Sequence, residues 1–309
     1  MTPRPIHIAA PAAAFAIMVI HLMDATAGVV VGSTFALLGL FVLGIPHGSL
    51  DHVIEEQGAV ASGGKTFSLW RFLVAYLSVM AIYALVWVGF PGLSLVFFLL
   101  LSAWHFGETD LQDHRLGRGW LAQAVFVGYG SVLLFGLLAN DAGMTREILA
   151  SLLGANEALD GFVDLVEQYP WLRFSEFFAL ALGGALVGSG RRFEYLRLGV
   201  ILGIALFLPL LEGFLLYFCH HHAWLNMLRV KKRIYGEGRR GLYAMLKDMA
   251  PFSLISVVGI VILVASSPLW LSQVNPVLLF FILISVLTLP HAGVMSRFYD
   301  RQPGAAPAV

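Results

Sequence analysis

Residues 70–107 read WRFLVAYLSVMAIYALVWVGFPGLSLVFFLLLSAWHFG. This apolar stretch contains one charged residue, Arg71, and a break at Pro91. About 20 helical residues cross the roughly 30 Å hydrocarbon core of a bilayer, so the stretch is long enough for two spans that meet near the proline. The sequence therefore predicts membrane-spanning helices on both sides of Pro91.

The rest of the chain has the same character. Of its 309 residues, 59% are hydrophobic and 12% are charged, whereas an ordinary soluble domain has roughly 25% charged residues. We predict an all-α, polytopic transmembrane helical bundle of about ten spans (eight to ten) that forms a single integral-membrane domain over 1–309. The other apolar runs lie near 8–23, 27–47, 119–139, 175–190, 195–210, 211–228, 252–270 and 276–297.

Basic residues predict the orientation, because Lys and Arg in short loops stay on the cytoplasmic side. One set of alternate loops carries almost all of them, while the other set contains only Arg146 and Arg173. Both termini are therefore expected in the cytoplasm of a cell with a bacterial-type inner membrane, and residues 140–175 are expected to form an extracytoplasmic interfacial segment. Trp70 and Trp87 are predicted at opposite interfaces. The first run is expected to remain as a helix instead of being cleaved as a signal peptide, since another apolar run follows at once.

Charge and cysteine content exclude several functions. The 19 basic residues balance 19 acidic ones, so no basic excess exists to bind a phosphate backbone, and we expect no nucleic-acid partner. One cysteine, Cys219, excludes an intramolecular disulfide and a cysteine-rich metal site. Imidazole and carboxylate groups remain as plausible ligands, which makes the ten histidines the informative residues.

Histidines recur at one predicted depth. His47, His105, the group His220–His222, and His291 all fall on even-numbered spans, which would run in the same direction. An ionisable residue inside a membrane suggests function, and imidazole suits iron, copper and zinc. We predict a metal site between the even-numbered helices. Its predicted catalytic and metal-binding residues are His47, His105, His222 and His291, whereas a single histidine near a helix end is more often structural, as expected for His7, His21, His52 and His114.

Two carboxylates accompany these histidines. Asp51 follows His47 by four residues and would hold its imidazole tautomer if the helix continues, or else lie in a solvated loop. Gly107 is predicted to end the helix after His105, so that Asp110 either folds back toward His105 or caps the next segment. Pro46 and Pro290 are predicted to kink or interrupt their helices.

Only one of His220, His221 and His222 can address a metal from a regular helix, because successive residues are rotated by about 100°. The other two, including His221, would then support the site or pack against neighbouring helices. His222 and Asn226 are four residues apart and share a helix face, so a pair of imidazole and amide is possible.

Four ordered motifs extend this pattern: Pro46–Asp51, His105–Asp110, Tyr217–Cys219 leading to His222, and Pro290–His291 with Tyr299 downstream. Together they resemble the Brp/Blh family of integral-membrane β-carotene 15,15'-dioxygenases, which form retinal for microbial rhodopsins. The resemblance implies Fe(2+) held by histidines, O2 as the second substrate, and cleavage of the central double bond of β-carotene into two retinal molecules. It also implies a site inside the lipid bilayer and functional coupling to a retinal-binding rhodopsin.

The sequence departs from the family pattern at one element. The family has Trp-His-Ser followed three residues later by another histidine. When the first histidine is placed on His222, the last position falls on Asn226, while His221 and Ala223 replace Trp and Ser. If the missing imidazole is a ligand, either His291 or His221 completes the set, or the chemistry differs.

Two other functions fit the same residues. A histidine-lined cation or proton transporter would use the histidines, Asp51, Glu212 and the proline-interrupted helices. A non-catalytic carotenoid-binding or retinal-binding member of the family is suggested by Asn226. Phenylalanines close to the histidine motifs could wall a polyene cavity, but such residues more often face lipid, and none is assigned to the site: Phe97, Phe98, Phe106, Phe214, Phe218, Phe280 and Phe281.

Overall fold

A computed structural model describes residues 6–63, 66–112, 116–117, 119–154, 157, 160–161, 163–164, 198–203, 207–270 and 276–301. All regular elements in these ranges are helical, which confirms the predicted all-α class. The predicted span 175–190, His114, and most of the predicted interfacial segment beyond residue 154 lie outside the described residues.

Within each half of the described chain, most helices follow one another with short connections. The first half contains α1 (Ile6–Met23), α2 (Ala25–Gly39), a π-helical turn (Leu40–Gly44), α3 (Ile45–Gly48), α4 (Asp51–Ala61), α5 (Leu69–Gly89), α6 (Pro91–Leu111), α7 (Trp120–Asn140) and α8 (Ala142–Leu153). The second half contains α9 (Leu210–Tyr217), a π-helical turn (Phe218–Ala223), α10 (Trp224–Val230), a further π-helical turn (Lys231–Tyr235), α11 (Arg239–Trp270) and α12 (Pro276–Asp300).

Six helices of the described part are long and apolar enough to cross a membrane. They are Ala25–Ala61, Leu69–Gly89, Pro91–Leu111, Trp120–Asn140, Arg239–Leu263 and Leu278–Asp300. The predicted break at Pro91 is confirmed, since α5 ends at Gly89 and α6 begins at the proline. The count of about ten spans stays a prediction.

Some predicted boundaries are wrong. Helix α11 begins at Arg239, well before residue 252, because Met245 and Met249 already pack into the core. Helix α6 does not end at Gly107 but continues to Leu111. Pro46 follows a π-helical turn and the helix stops at Gly48, as predicted, whereas α12 continues through Pro290.

Gly107 allows α6 and α7 to approach closely instead of ending a helix. A Cβ atom at Gly107 would collide with the backbone of Phe126, and one at Gly130 would collide with the backbone of Ala103. The two glycines thus lie on opposite sides of one helix crossing. Small residues at such crossings let backbones pack directly in membrane proteins.

Two buried apolar clusters lie on either side of the predicted histidine level. On α12, Phe281 and Ile284 pack on the first cluster, and Met295 and Phe298 belong to the second, so His291 falls between them. The helical segment Leu210–Tyr235 repeats this order, with Leu215 in the first cluster, Met227 in the second, and His222 between them. The fold therefore places histidines in a polar layer between two hydrophobic cores.

The α6–α7 crossing generates a stability prediction. Gly130→Ala should lower the free energy of unfolding by about 1–3 kcal/mol, the typical cost of overpacking, because its methyl group meets backbone. Gly128→Ala is the matched control, since a Cβ at Gly128 has no neighbour within 4 Å. The midpoint of thermal unfolding in detergent measures both variants. Equal midpoints for the two would contradict the close crossing.

Candidate functional site

Four histidine rings from different parts of the chain come together inside the bundle. The ring centroids form a four-sided arrangement: His47 to His291 is 4.8 Å, His291 to His105 is 5.3 Å, His105 to His222 is 4.9 Å, and His222 to His47 is 5.8 Å. All four side chains are buried. The structure thus brings together the four residues that the sequence predicts as ligands.

Hydrogen bonds fix two of these rings from behind. The Nδ1 atom of His47 contacts the carbonyl oxygen of Gly44, and Nδ1 of His291 lies 2.9 Å and 3.0 Å from the two carboxylate oxygens of Asp51. Tyr76 donates a further hydrogen bond of 2.9 Å to Asp51. When Nδ1 donates, Nε2 of a neutral imidazole keeps its lone pair, so both rings offer Nε2 as a ligand.

Asp51 does not support the histidine that the sequence predicts. The expected partner was His47, but Asp51 contacts His291 instead. The helix is interrupted between Gly48 at the end of α3 and Asp51 at the start of α4. Because of this break, the i to i+4 spacing no longer places the two side chains on one face.

Asn226 lies next to the His222 ring. Its Nδ2 atom is 3.2 Å from Nε2 of His222, and its Oδ1 atom accepts a hydrogen bond from the hydroxyl of Tyr299. Tyr299 is also 3.5 Å from the Thr109 hydroxyl. The predicted pairing of imidazole and amide is present, and a tyrosine of the C-terminal helix orients the amide.

The three consecutive histidines point in different directions. His222 joins the four-ring cluster, while the ring of His220 stacks on Phe35 at 4.3 Å. Nε2 of His221 lies 3.6 Å from Asp110. Of the three, only His222 lies in ring contact with His47 and His105, as the rotation argument predicts.

Asp110 is buried in a polar cluster beside the four rings. It accepts hydrogen bonds from Tyr217 (2.8 Å) and Tyr129 (3.2 Å) and lies near His221. The predicted helix end at Gly107 is wrong, because α6 runs on to Leu111 and Asp110 stays on this helix. The continuing helix carries Asp110 toward Tyr217 and His221, where it helps to hold the segment that precedes His222.

An apolar cavity of about 470 Å³ adjoins the four rings, all of which line it. This volume lies within the range of roughly 300–1,000 Å³ that is typical of small-molecule sites. Most other lining residues are aliphatic or aromatic and come from α5, α6, α8, α11 and α12. Six of the phenylalanines left unassigned in the sequence line this cavity: Phe98, Phe106, Phe214, Phe218, Phe280 and Phe281.

Trp87 is buried and also lines the cavity, and its position at a membrane interface stays a prediction. Its indole nitrogen donates to Ser285 (3.0 Å), Ser285 donates to Tyr83 (3.0 Å), and Tyr83 donates to the carbonyl of Ser94 (3.0 Å). This chain of hydrogen bonds joins α5, α6 and α12 around the cavity wall. Trp70, by contrast, is exposed.

The donor set suits an imidazole-binding metal. Two imidazoles that bind one ion at about 2.1 Å, with angles near 90–110°, have ring centroids roughly 4.5–5.5 Å apart, close to the observed spacing. Both ring nitrogens of His105, Nδ1 of His222 and Nε2 of His291 are buried without a hydrogen-bond partner, although buried polar atoms normally have one. Within the described residues, no group of three or more His, Cys, Asp or Glu side chains is arranged to hold an ion as it stands.

Comparison with known proteins gives one family. The model of the family described as beta-carotene 15,15'-dioxygenase matches residues 38–299. A curated protein of the same description, from uncultured marine bacterium 66A03, is 33% identical over 85 residues, which are 28% of this chain and 30% of the relative. The match therefore spans less than a third of that relative's length. No solved structure matches the chain.

Proposed function

Because the chain belongs to the beta-carotene 15,15'-dioxygenase family, we propose that it cleaves β-carotene at the central double bond with O2 and releases two molecules of retinal. The observation that carries this proposal is the meeting of four imidazole rings at the wall of one apolar cavity. We further propose that His47, His105, His222 and His291 hold Fe(2+). Imidazole is a common ligand of iron in proteins.

Iron(II) bound to these nitrogens would supply the redox chemistry that activates O2. The overall reaction balances without another reductant, since the central C=C bond is broken and each carbon receives one oxygen atom of O2 as an aldehyde. Asp51 and the Gly44 carbonyl orient His291 and His47 through their Nδ1 atoms. Asn226 orients His222.

The cavity walls contribute to catalysis by positioning one bond of a long apolar polyene. Leucine, isoleucine and phenylalanine side chains dominate the lining and exclude water from the reacting bond. Along α12 the lining extends from His291 back to Leu278, about 20 Å at 1.5 Å per residue. We call this part of the cavity, from His291 to Leu278, the deep arm. It accepts one half of the substrate while the central bond lies at the rings.

Substrate, product and O2 all dissolve in a bilayer, which agrees with a site inside the membrane. We place the protein in a bacterial-type inner membrane with both termini in the cytoplasm, following the distribution of Lys and Arg. Retinal released there could pass to a retinal-binding rhodopsin in the same membrane.

A transporter is less well supported than a dioxygenase. Its predicted path would include Glu212, but Glu212 binds the Ser33 hydroxyl at 2.5 Å and is not one of the residues that line the cavity. The family match also concerns a dioxygenase. A non-catalytic carotenoid binder is the second candidate, because the amide of Asn226 lies in hydrogen-bond contact with Nε2 of His222, which is then not free to bind a metal.

The first prediction concerns activity in cells. Expression of the chain in a host that makes β-carotene should bleach the cells and yield about two retinal molecules per β-carotene lost, because central cleavage gives equal halves. Pigment and retinal are quantified by chromatography, and iron in the purified protein by elemental analysis. We expect close to one iron per chain.

Single replacements His47→Ala, His105→Ala, His222→Ala and His291→Ala should each abolish iron retention and retinal formation. His220→Phe is the matched control, because a phenyl ring can keep the stack on Phe35 outside the four-ring cluster. Intact pigment that copurifies with an iron-free wild-type protein in air would favour the non-catalytic binder and refute the enzyme.

Asn226 generates a rescue prediction. Asn226 lies four residues after His222, at the position where the related pattern has histidine, and His291 lies across the same cluster. If His291 replaces that imidazole, the double variant His291→Ala/Asn226→His should regain iron that His291→Ala loses. Elemental analysis measures the iron in both proteins. Full iron retention by His291→Ala alone would remove His291 from the ligand set.

The deep arm generates a prediction about products. Ile148 is buried beside Leu210 and Leu278, at the end of the arm. Ile148→Phe should shorten the arm, so that the polyene enters less far and unequal aldehydes replace most of the retinal. Ile148→Val is the control, since it keeps the arm open. Mass spectrometry of the products measures the shift, and unchanged production of retinal alone by Ile148→Phe would rule out this placement of the substrate.

A further inference from the structure

Two residues of the described cavity wall are exposed on the outside of the bundle. Among the described lining residues, only Leu77 and Ile255 are exposed, at 57% and 65%, while the others are buried or half-buried. Leu77 belongs to α5 and Ile255 to α11. Both residues lie within candidate membrane spans, so this exposed surface faces lipid.

These two helices are each held by other parts of the bundle. Helix α5 packs mainly on α12 and α6, whereas α11 packs on α3 and on the π-helical turn Lys231–Tyr235. Ser253 of α11 donates a 3.0 Å hydrogen bond to Ser49, and the Phe252 ring lies 4.4 Å from the His52 ring. The cavity extends into the space between α5 and α11, since residues from both helices line it.

This exposed stretch lies at the depth of the four histidines. Leu77 follows Tyr76, which binds Asp51, and Asp51 in turn binds His291. On the other side, Ile255 is three residues from Phe252, or about 4.5 Å along the helix, and Phe252 also lines the cavity. A molecule that enters between Leu77 and Ile255 therefore reaches the rings without crossing the length of the bundle.

We infer that Leu77 and Ile255 flank a lateral portal between α5 and α11, through which a long apolar polyene passes directly between the bilayer and the histidine site. The inference rests on the proposed function. The histidines account for the reaction but not for the entry of the substrate. The portal residues account for that entry.

The chemistry of the substrate favours such a route. A hydrocarbon polyene resides among acyl chains, and a path through the headgroup region would take it through polar surroundings at a cost that grows with the apolar area exposed. A sideways opening avoids that step. The leading half can slide past the rings into the deep arm, while the trailing half stays in the portal.

The test blocks the portal in full-length protein reconstituted in phosphatidylcholine vesicles. Leu77→Trp/Ile255→Trp should slow transfer of β-carotene from donor vesicles to the protein at least tenfold, and lower kcat/KM for cleavage by a similar factor. Transfer is measured on EDTA-treated protein by the absorption change of bound pigment, so it does not depend on turnover. Leu77→Ala/Ile255→Ala should transfer pigment at least as fast as wild type.

Val74→Trp/Leu254→Trp is the matched control. Both residues are exposed on the same two helices but do not line the cavity, so pigment transfer should stay at the wild-type rate. Equal transfer rates in the Trp variants at 77/255 and at 74/254, with cleavage intact, would overturn the portal alone. A wild-type protein that neither binds pigment nor forms retinal would overturn the proposed function and the portal with it.

Discussion

An imidazole nitrogen inside a bilayer must find a partner, because no water is present to solvate it and an unsatisfied polar group costs several kcal/mol. In this bundle, irregular backbone brings such nitrogens together around one point. One π-helical turn, Leu40–Gly44, precedes His47, and a second, Phe218–Ala223, contains His222. Such turns change which side chains face inward and occur often at functional sites. Here they aim imidazoles at a common centre.

The histidine layer divides the hydrophobic packing of the molecule. Large apolar side chains fill the space above and below the four rings, and carboxylates and tyrosines surround the rings laterally. Asp51 with Tyr76, and Asp110 with Tyr217, occupy separate helices beside the cluster. Each buried carboxylate is therefore hydrogen-bonded, which is what makes its burial tolerable. The apolar cavity opens from this layer, so one boundary of the site is polar while the other is mainly apolar.

The sequence predicted which residues lie at the same depth in the membrane. It did not predict the side-chain partners that depend on how the helices pack. Matched positions of His47, His105, His222 and His291 along their spans were enough to predict that the rings could meet. The partner of Asp51 could not be predicted, because a break between α3 and α4 changes the register of the helix face. Gly107 was misread as a helix end for a similar reason: a glycine that allows close helix contact and one that ends a helix look the same in sequence. Trp87 and the phenylalanines were ambiguous because both lipid-facing and cavity-facing surfaces of a membrane helix are apolar.

Asn226 departs from the related pattern but still takes part in the hydrogen bonding of the site. An amide cannot replace imidazole as a strong ligand for iron, but it can donate to a ring nitrogen and accept from a hydroxyl at once. Asn226 does both, joining Tyr299 to His222. Meanwhile His291, two helical turns before Tyr299 on the same helix, is held by Asp51 with Nε2 buried and unpartnered. Helix α12 thus supplies both an imidazole of the four-ring cluster and the hydroxyl that orients the amide of Asn226.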